Sequence, residues 1–430
     1  MLSSLFSSIF RLQSKRSPQA AAGRLRQTAA ARIRTAAAVS SAFLLFLTAG
    51  MRISLPQSIS AYSDEKTVIA AVTLSPEGSE ECGFGCVCTD YQAKLRGVIP
   101  VGSVRVNKVD RISLIPGGMS FGARIACDGV IAEGFFPVAG QLSPCLEAGM
   151  TAGDVITSFG SRASDASPLN SGSISDEVAQ SGGKEIRVSF LRDGKPLETS
   201  VIPRLDADGS YRIGVKLRDY AAGIGTVTFV DPESLVFAGL GHGIYDADTG
   251  LLIPFAEGKS FPVSVTGLTR GEAGKPGEVK GHFSGSPSGE LTANRDTGVY
   301  GAFSALPDEL KDTNPIPIAL RDEIHDGSVT VLTSPDGGEI KEYSASIKIG
   351  SGKDEPVKNF TVEITDPGLI ELTGGIIQGM SGSPVIQDGR LIGAVTHVMI
   401  GDPKSGYGIF IENMLADMPP RAAFYEDEAA

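Results

Sequence analysis

Apolar and polar residues alternate in short runs along most of this chain. Glycine and proline break the runs at intervals too short for long helices, so a mainly β protein is predicted. The clearest run lies near the C-terminus. Pro384, Val385 and Ile386 precede Asp388-Gly389, and Leu391, Ile392, Ala394 and Val395 follow. An Asp-Gly pair between two apolar runs predicts a hairpin. Other strands are expected over 67–74, 184–191 with a turn at Asp193-Gly194, 211–219, 225–230 and 235–237. A glycine-rich loop, 114–122, runs into a strand at 123–125. One apolar run is different: 36–51 holds about 16 residues without a charge, behind Arg11, Lys15, Arg16, Arg24, Arg26, Arg32 and Arg34. Such a segment fits an export signal or an uncleaved anchor, with cleavage after Ser60 as one option. The basic lead is long for a signal peptide, so a wrongly chosen start codon is a further option.

Composition sharpens this picture. The chain has 430 residues, 53 of them glycine, with 20% charged, which suits β structure with many turns and two or three domains. Its net charge of −12 is uneven: residues 1–52 carry eight Lys/Arg and no acid, leaving 30 basic against 50 acidic residues in the remainder. An acidic body argues against a nucleic-acid partner. Five cysteines include Cys82, Cys86 and Cys88 in a C-x3-C-x-C cluster. No histidine lies near enough in sequence to complete a zinc set, so no metal is expected, and no other cofactor.

The run GGIIQGMSGSPVIQDGRLIGAVTH over 374–397 carries the candidate chemistry. Gly379 and Gly382 flank Ser381, and small residues let backbone N–H groups beside a nucleophilic serine reach a substrate carbonyl. The register resembles that of trypsin-like serine proteases, where G-D-S-G-G-P precedes a hairpin ending in a hydroxyl residue and an aromatic. Thr396 falls on the hydroxyl position and His397 on the aromatic one, which makes both candidate substrate-cleft residues. A Gly/Ser-rich turn of an ordinary β domain is the plain alternative. His242, in Gly241-His242-Gly243, precedes Ser381 by 139 residues, a span similar to that between base and nucleophile in such proteases. His282 sits in a strand-like run and His325 in a charged one. Gly379 and Ser381 would supply the oxyanion-hole N–H groups.

Upstream, 143–156 (SPCLEAGMTAGDVI) resembles the PDZ signature of a short helix, an Ala-Gly stop and a Gly-Asp turn into a buried strand. The resemblance implies a domain that adds a peptide to a sheet edge and holds its terminal carboxylate on a glycine-rich loop. Gly117, Gly118, Ser120, Phe121 and Gly122 are the expected loop. The expected organisation is a leader and signal or anchor (1–60), a linker with the cysteine cluster (61–97), a PDZ-like domain (98–205), a trypsin-like double β-barrel peptidase domain (206–418) and a tail (419–430).

Taken together, 114–118 with Ser120 and Gly122, Tyr211-Arg212-Ile213-Gly214, Arg218-Asp219, 221–226, Gly241-His242, 374–384, 392–398, Asp402-Pro403 and 405–408 resemble the stage IV sporulation protein B family of serine peptidases. The resemblance implies Asp366 as the third catalytic residue; spacing alone leaves Asp246 and Asp296 open. It also implies export across the forespore membrane, membrane anchoring before N-terminal cleavage, self-cleavage, and cleavage of a regulatory subunit of the membrane metalloprotease complex that processes pro-sigma-K. C-terminal peptides would bind through the PDZ domain. The competing expectation is a non-catalytic PDZ signalling protein with a degenerate protease domain.

Overall fold

Alternating β-branched and aromatic residues form strands wherever one face can be buried, and here they do so from residue 58 onward. The computed structural model describes residues 55, 58–67, 69, 72–83, 86–163, 169–246, 250–350 and 355–419. The basic leader, the apolar run 36–51 and residues 420–430 of the tail lie outside them. No helix among the described residues is long and apolar enough to cross a membrane.

β1 (Ser58–Tyr62), β2 (Val72–Gly83), β3 (Cys86–Leu95) and β4 (Ile99–Val109) form a sheet in the order β1-β4-β3-β2. The expected 61–97 linker is therefore corrected: it supplies two long strands. Arg96 and Gly97, at φ +50° and +74°, make the left-handed turn into β4. Segments 67–79 and 89–106 belong to a small compact unit whose core is Ala93, Val101, Val104 and Val106. Cys88 is disulfide-bonded, and burial pushes the Cys86 thiol up to about 11. No cluster able to hold a metal ion occurs among the described residues.

The larger unit, which includes everything from residue 107, contains two barrels and an inserted domain. β5 (Ser113–Pro116) leads into β6 (Ser120–Phe135), a 16-residue strand. Then come α1 (Pro144–Glu147), β7 (Val155–Phe159), α2 (Ser171–Gln180), β8 (Ile186–Arg192) and β9 (Lys195–Val201). β10 (Val215–Val230) returns antiparallel to β6, in register from Phe135↔Val215 to Ser120↔Thr226. The two runs expected at 211–219 and 225–230 are largely this one strand. β11 (Val236–Gly239), β12 (Phe255–Thr269), β13 (Glu278–Phe283), β14 (Gly289–Arg295) and β15 (Gly298–Phe303) follow. Pairings β6-β12-β14-β15-β11-β10 close a ring through the β10–β6 ladder, while β13 extends β12 as a hairpin. Phe237 fills this first barrel, edge-on to Phe121 at 5.6 Å and stacked on Phe303 at 4.0 Å.

The expected domain boundary at 205/206 is corrected by this ladder. The first barrel takes its first strand from β6, so the PDZ domain is an insertion between two neighbouring strands of the barrel. The far half of β6 pairs with β7, and Ile156, Phe159, Ile174, Val178, Val188 and Phe190 pack the inserted core. The Gly153-Asp154 turn is held by a buried carboxylate: Arg192 donates to both Asp154 oxygens at 2.8 Å, and Thr151 N donates at 2.8 Å. Such fork-to-fork pairing offsets the desolvation of the buried carboxylate.

The second barrel is closed in the order β16 (Gly327–Thr333), β17 (Lys341–Ile349), β18 (Phe360–Ile364), β21 (Asp402–Phe410), β20 (Arg390–Met399) and β19 (Pro384–Gln387). Asp388 and Gly389 have φ of +50° and +74°, the doubly left-handed turn that matches strand twist, so the predicted hairpin forms as β19–β20. α3 (Pro367–Thr373) precedes the segment leading to Ser381.

Candidate active site

Ser381 lies in the turn between α3 and β19, and four consecutive carbonyls of that turn have donors. Thr226 Oγ1 donates to Gly379 O at 2.7 Å, Ser383 N to Met380 O at 3.0 Å, Thr226 N to Ser381 O at 2.9 Å and Thr228 Oγ1 to Gly382 O at 2.8 Å. Among its amides, Met380 N donates to Ile377 O at 3.1 Å and Gly382 N to Val395 O at 2.8 Å. Gly379 N and Ser381 N donate to no protein acceptor among the described residues. Most backbone donors in folded chains are paired, so two open ones beside a serine are available to a ligand oxygen. These are the two amides expected from the sequence.

Glycine is required in this turn by geometry. At Gly382, with φ +96°, a Cβ would stand 2.0 Å from Thr226 O. At Gly379, with φ +102°, it would stand 2.8 Å from Val279 Cβ. The β12–β13 hairpin braces the approach to the serine: Gly271 N donates to Thr373 O, Gln378 N to Gly277 O and Val279 N to Gln378 O, each at 2.8 Å.

His242 arrives from the first barrel. Leu240 and Gly241, at φ +68° and +65°, turn the chain sharply after β11. A left-handed leucine is strained, and such strain concentrates at functional positions. A Cβ at Gly241 would stand 3.0 Å from Thr396 Cγ2, so this loop abuts the second barrel directly. The His242 ring lies on His397, with centroids 4.6 Å apart. Its Nδ1 stands 2.7 Å from Gly243 O, which assigns the proton to Nδ1 and leaves Nε2 as the basic nitrogen. Burial holds the imidazole below its ordinary 6.5, against the hydrogen bond to Gly243. His397 is pushed down to about 4 by burial, then by His242 and Lys358. Both rings are therefore neutral at pH 7.

The Ser381 hydroxyl donates to Thr396 O at 2.5 Å and not to an imidazole. Thr396 O thus meets the serine hydroxyl, and the His397 ring meets the His242 ring. His282 and His325 are exposed, with His325 Nε2 3.0 Å from Asp388 Oδ2.

The carboxylates are placed otherwise. Asp366 is the N-cap of α3: Oδ1 accepts from Gly368 N at 2.9 Å and Leu369 N at 3.1 Å. Asp246 faces Arg218 at 3.1 Å, and Asp296 accepts from the Tyr245 hydroxyl at 2.8 Å. The sole hydrogen bond of the His242 ring among the described residues is the one to Gly243 O. Asp366 is therefore not brought to the imidazole in this arrangement, because its oxygens already satisfy the amides that open a helix.

The expected PDZ loop is also corrected. Gly117 N donates to Thr228 O at 2.9 Å and Gly118 N to Val227 O at 2.8 Å, while Ser120, Phe121 and Gly122 are laddered to Thr226, Gly225 and Ile224. These residues seal the first barrel and have no open amide row for a carboxylate. A groove of about 170 Å³ lies elsewhere in the inserted domain, between Ile174 and Val178 of α2 and the segment Tyr211, Ile213 and Val215. Ile213 N and Gly214 N there donate to no protein acceptor among the described residues, and Gly214 is left-handed at φ +70°. Sequence reading missed this groove, although Tyr211-Arg212-Ile213-Gly214 precedes a strand in the manner of a glycine-containing carboxylate loop. It also missed Thr226 and Thr228. Their signal was available: two hydroxyls two residues apart share one face of an otherwise apolar strand, and buried hydroxyls need partners.

Two closed six-stranded barrels, with a serine turn on one and a histidine loop on the other, define a trypsin-like serine peptidase, here with an inserted PDZ domain. Residues 209–415 match the family model of the SpoIVB peptidase S55. No curated protein sequence matches the chain significantly. Among solved structures, the PDZ domain of the SdrC-like protein from Listeria monocytogenes is 22% identical, covering 21% of this chain and 90% of that one, with a TM-score of 0.18. The active form of the Rv3671c protease from M. tuberculosis is 17% identical over 48% of this chain and 75% of that one, with a TM-score of 0.27. Its inactive form is 19% identical over 44% and 80%, with a TM-score of 0.25.

Proposed function

We propose that this serine peptidase acts through Ser381 as nucleophile and His242 Nε2 as general base, with Gly379 N and Ser381 N stabilising the oxyanion. The observation that carries the reading is the pair of open amides flanking Ser381 in a turn whose carbonyls all have donors. The hydroxyl first leaves Thr396 O by a side-chain rotation, a fast motion on the scale of turnover. It then attacks a peptide carbonyl while Nε2 takes its proton. The developing oxyanion falls between the two amides, and the same proton passes to the leaving amine. Water repeats the sequence to release the acyl group. Gly243 O holds the imidazole tautomer in the resting arrangement. Thr396 O, vacated by the serine, is free to accept a substrate N–H, and His397 walls the cleft.

The finer reading rests on the family resemblance. The chain is exported across the forespore membrane, anchored by its N-terminal segment until cleaved, cleaves itself, and then cleaves a regulator of the membrane complex that processes pro-sigma-K. The inserted domain takes a C-terminal peptide in the groove beside α2, where Ile213 N and Gly214 N suit a carboxylate. Purified Ser381→Ala is expected to lose self-cleavage and casein cleavage by orders of magnitude. Wild-type turnover in that variant contradicts the assignment.

A further inference from the structure

Val279 N on Gln378 O and Ser383 N on Met380 O hold the two peptide units that present the oxyanion amides, and one residue of the other barrel holds the units on either side of the Ser381 amide. Thr226 is buried, and it alone bonds two carbonyls of the serine turn: its hydroxyl takes Gly379 O and its backbone amide takes Ser381 O. Peptide units are planar, so holding a carbonyl fixes the direction of the N–H in the same unit. The unit that presents Ser381 N–H lies between the two units that Thr226 holds. The unit on its N-terminal side, Gly379–Met380, links the two open amides and would flip through ψ of Gly379, a residue with no Cβ to restrict that rotation. Little in that residue itself opposes a flip of the Gly379–Met380 peptide. The Thr226 hydroxyl opposes it from outside, aided by Met380 N on Ile377 O at 3.1 Å. A flipped unit rotates its neighbours and parts the two open amides.

From this geometry we infer that Thr226 is a positioning residue for catalysis: its side-chain hydroxyl sets the oxyanion hole by holding Gly379 O. The inference rests on the reading of Ser381 as nucleophile. It assigns a role in turnover to a hydroxyl that never touches substrate. The hydroxyl should therefore matter for the transition state, where the oxyanion forms, and little for ground-state binding.

The test is steady-state cleavage of fluorescein-labelled casein by the full chain, below the melting temperature of every variant and normalised to folded protein. Thr226→Val keeps the shape and removes the donor. Its kcat is expected to fall about ten- to a hundred-fold with KM little changed, in proportion to the loss of part of an oxyanion hole. Thr226→Ser, which restores the donor, should recover most of the loss. Thr297→Val removes another buried hydroxyl of the first barrel, one that bonds Tyr300 and Asp417. It should lower the melting temperature without lowering kcat, which separates positioning from stability. If Thr226→Val does not fold, Thr226→Cys, with a weaker donor of similar size, should reduce kcat in the same sense. Wild-type kcat in Thr226→Val, or in Thr226→Cys if that variant is needed, overturns the inference while leaving Ser381 in place. Casein cleavage that survives Ser381→Ala at the wild-type rate overturns both.

Discussion

The rings of His242 and His397 lie against each other at 4.6 Å, and their depressed titration sets two pH dependences. Activity requires His242 neutral, and its burial holds it below 6.5. The acid limb of kcat/KM is therefore expected below pH 6.5, read from a pH–rate profile. For stability the sign is set by His397, whose folded value is about 4 against an unfolded 6.5. Between those values the unfolded chain binds the extra proton. The contribution is thus fully present above pH 6.5 and is lost as pH falls toward 4. His397→Phe should narrow the gap between melting temperatures at pH 7.5 and pH 5. Gly382 gives a steric prediction. A methyl group there meets Thr226 O at 2.0 Å and prefers another φ, so Gly382→Ala should lower both the melting temperature and turnover. The nucleophile turn was legible in the sequence because its demands are local: glycine where φ is positive, serine between open amides, Asp-Gly where the hairpin reverses. The resting contact of Ser381 with Thr396 was not, since it depends on a strand returning fifteen residues later.

Among the elements, α3 and β10 show what spacing could and could not reveal. Asp366-Pro367-Gly368 carried a readable helix start, an acceptor followed by proline at the first helical position. As a capping residue, Asp366→Ala should lower unfolding stability by about 1 kcal/mol, and Asp366→Asn by less, because asparagine caps nearly as well. Chemical denaturation measures both. β10 was read as two runs because Ala221-Ala222-Gly223 dilutes its apolar signal. In the structure one strand continues through them, carried by its ladder to β6, and it places Val215 at the groove wall and Thr226 beneath the nucleophile turn. The groove itself needs α2 and the 211–215 segment together, elements some forty residues apart, which explains why the glycine-rich 114–122 loop attracted the assignment instead.

Over the whole molecule, the main departure from the sequence reading is the insertion of the PDZ domain into the first barrel. Two mainly β domains were legible from alternation and turns. Their interleaving was not, because the pairing of β6 with β10 joins residues as far apart as Phe135 and Val215 or Ser120 and Thr226 and leaves no local mark. It has a consequence for fragments. Residues 209–415 alone lack β6, which leaves β10 and β12 with unpaired edges. In that fragment the first barrel should not fold, leaving only the unfolding transition of the closed second barrel. A chain in which Phe135 is joined to Val215 through Asn-Gly should keep the first barrel, since those residues are already cross-strand partners. It should retain Ser381-dependent cleavage while losing the groove. The account as a whole turns on Ser381 being an activated nucleophile. Intact-mass and peptide mass spectrometry after treatment with a fluorophosphonate measures this most directly: the serine oxygen displaces fluoride and keeps the phosphonyl group. One adduct on Ser381, formed in the wild type and strongly slowed in His242→Ala, is the predicted result; an unmodified Ser381, or labelling that proceeds equally without His242, contradicts it.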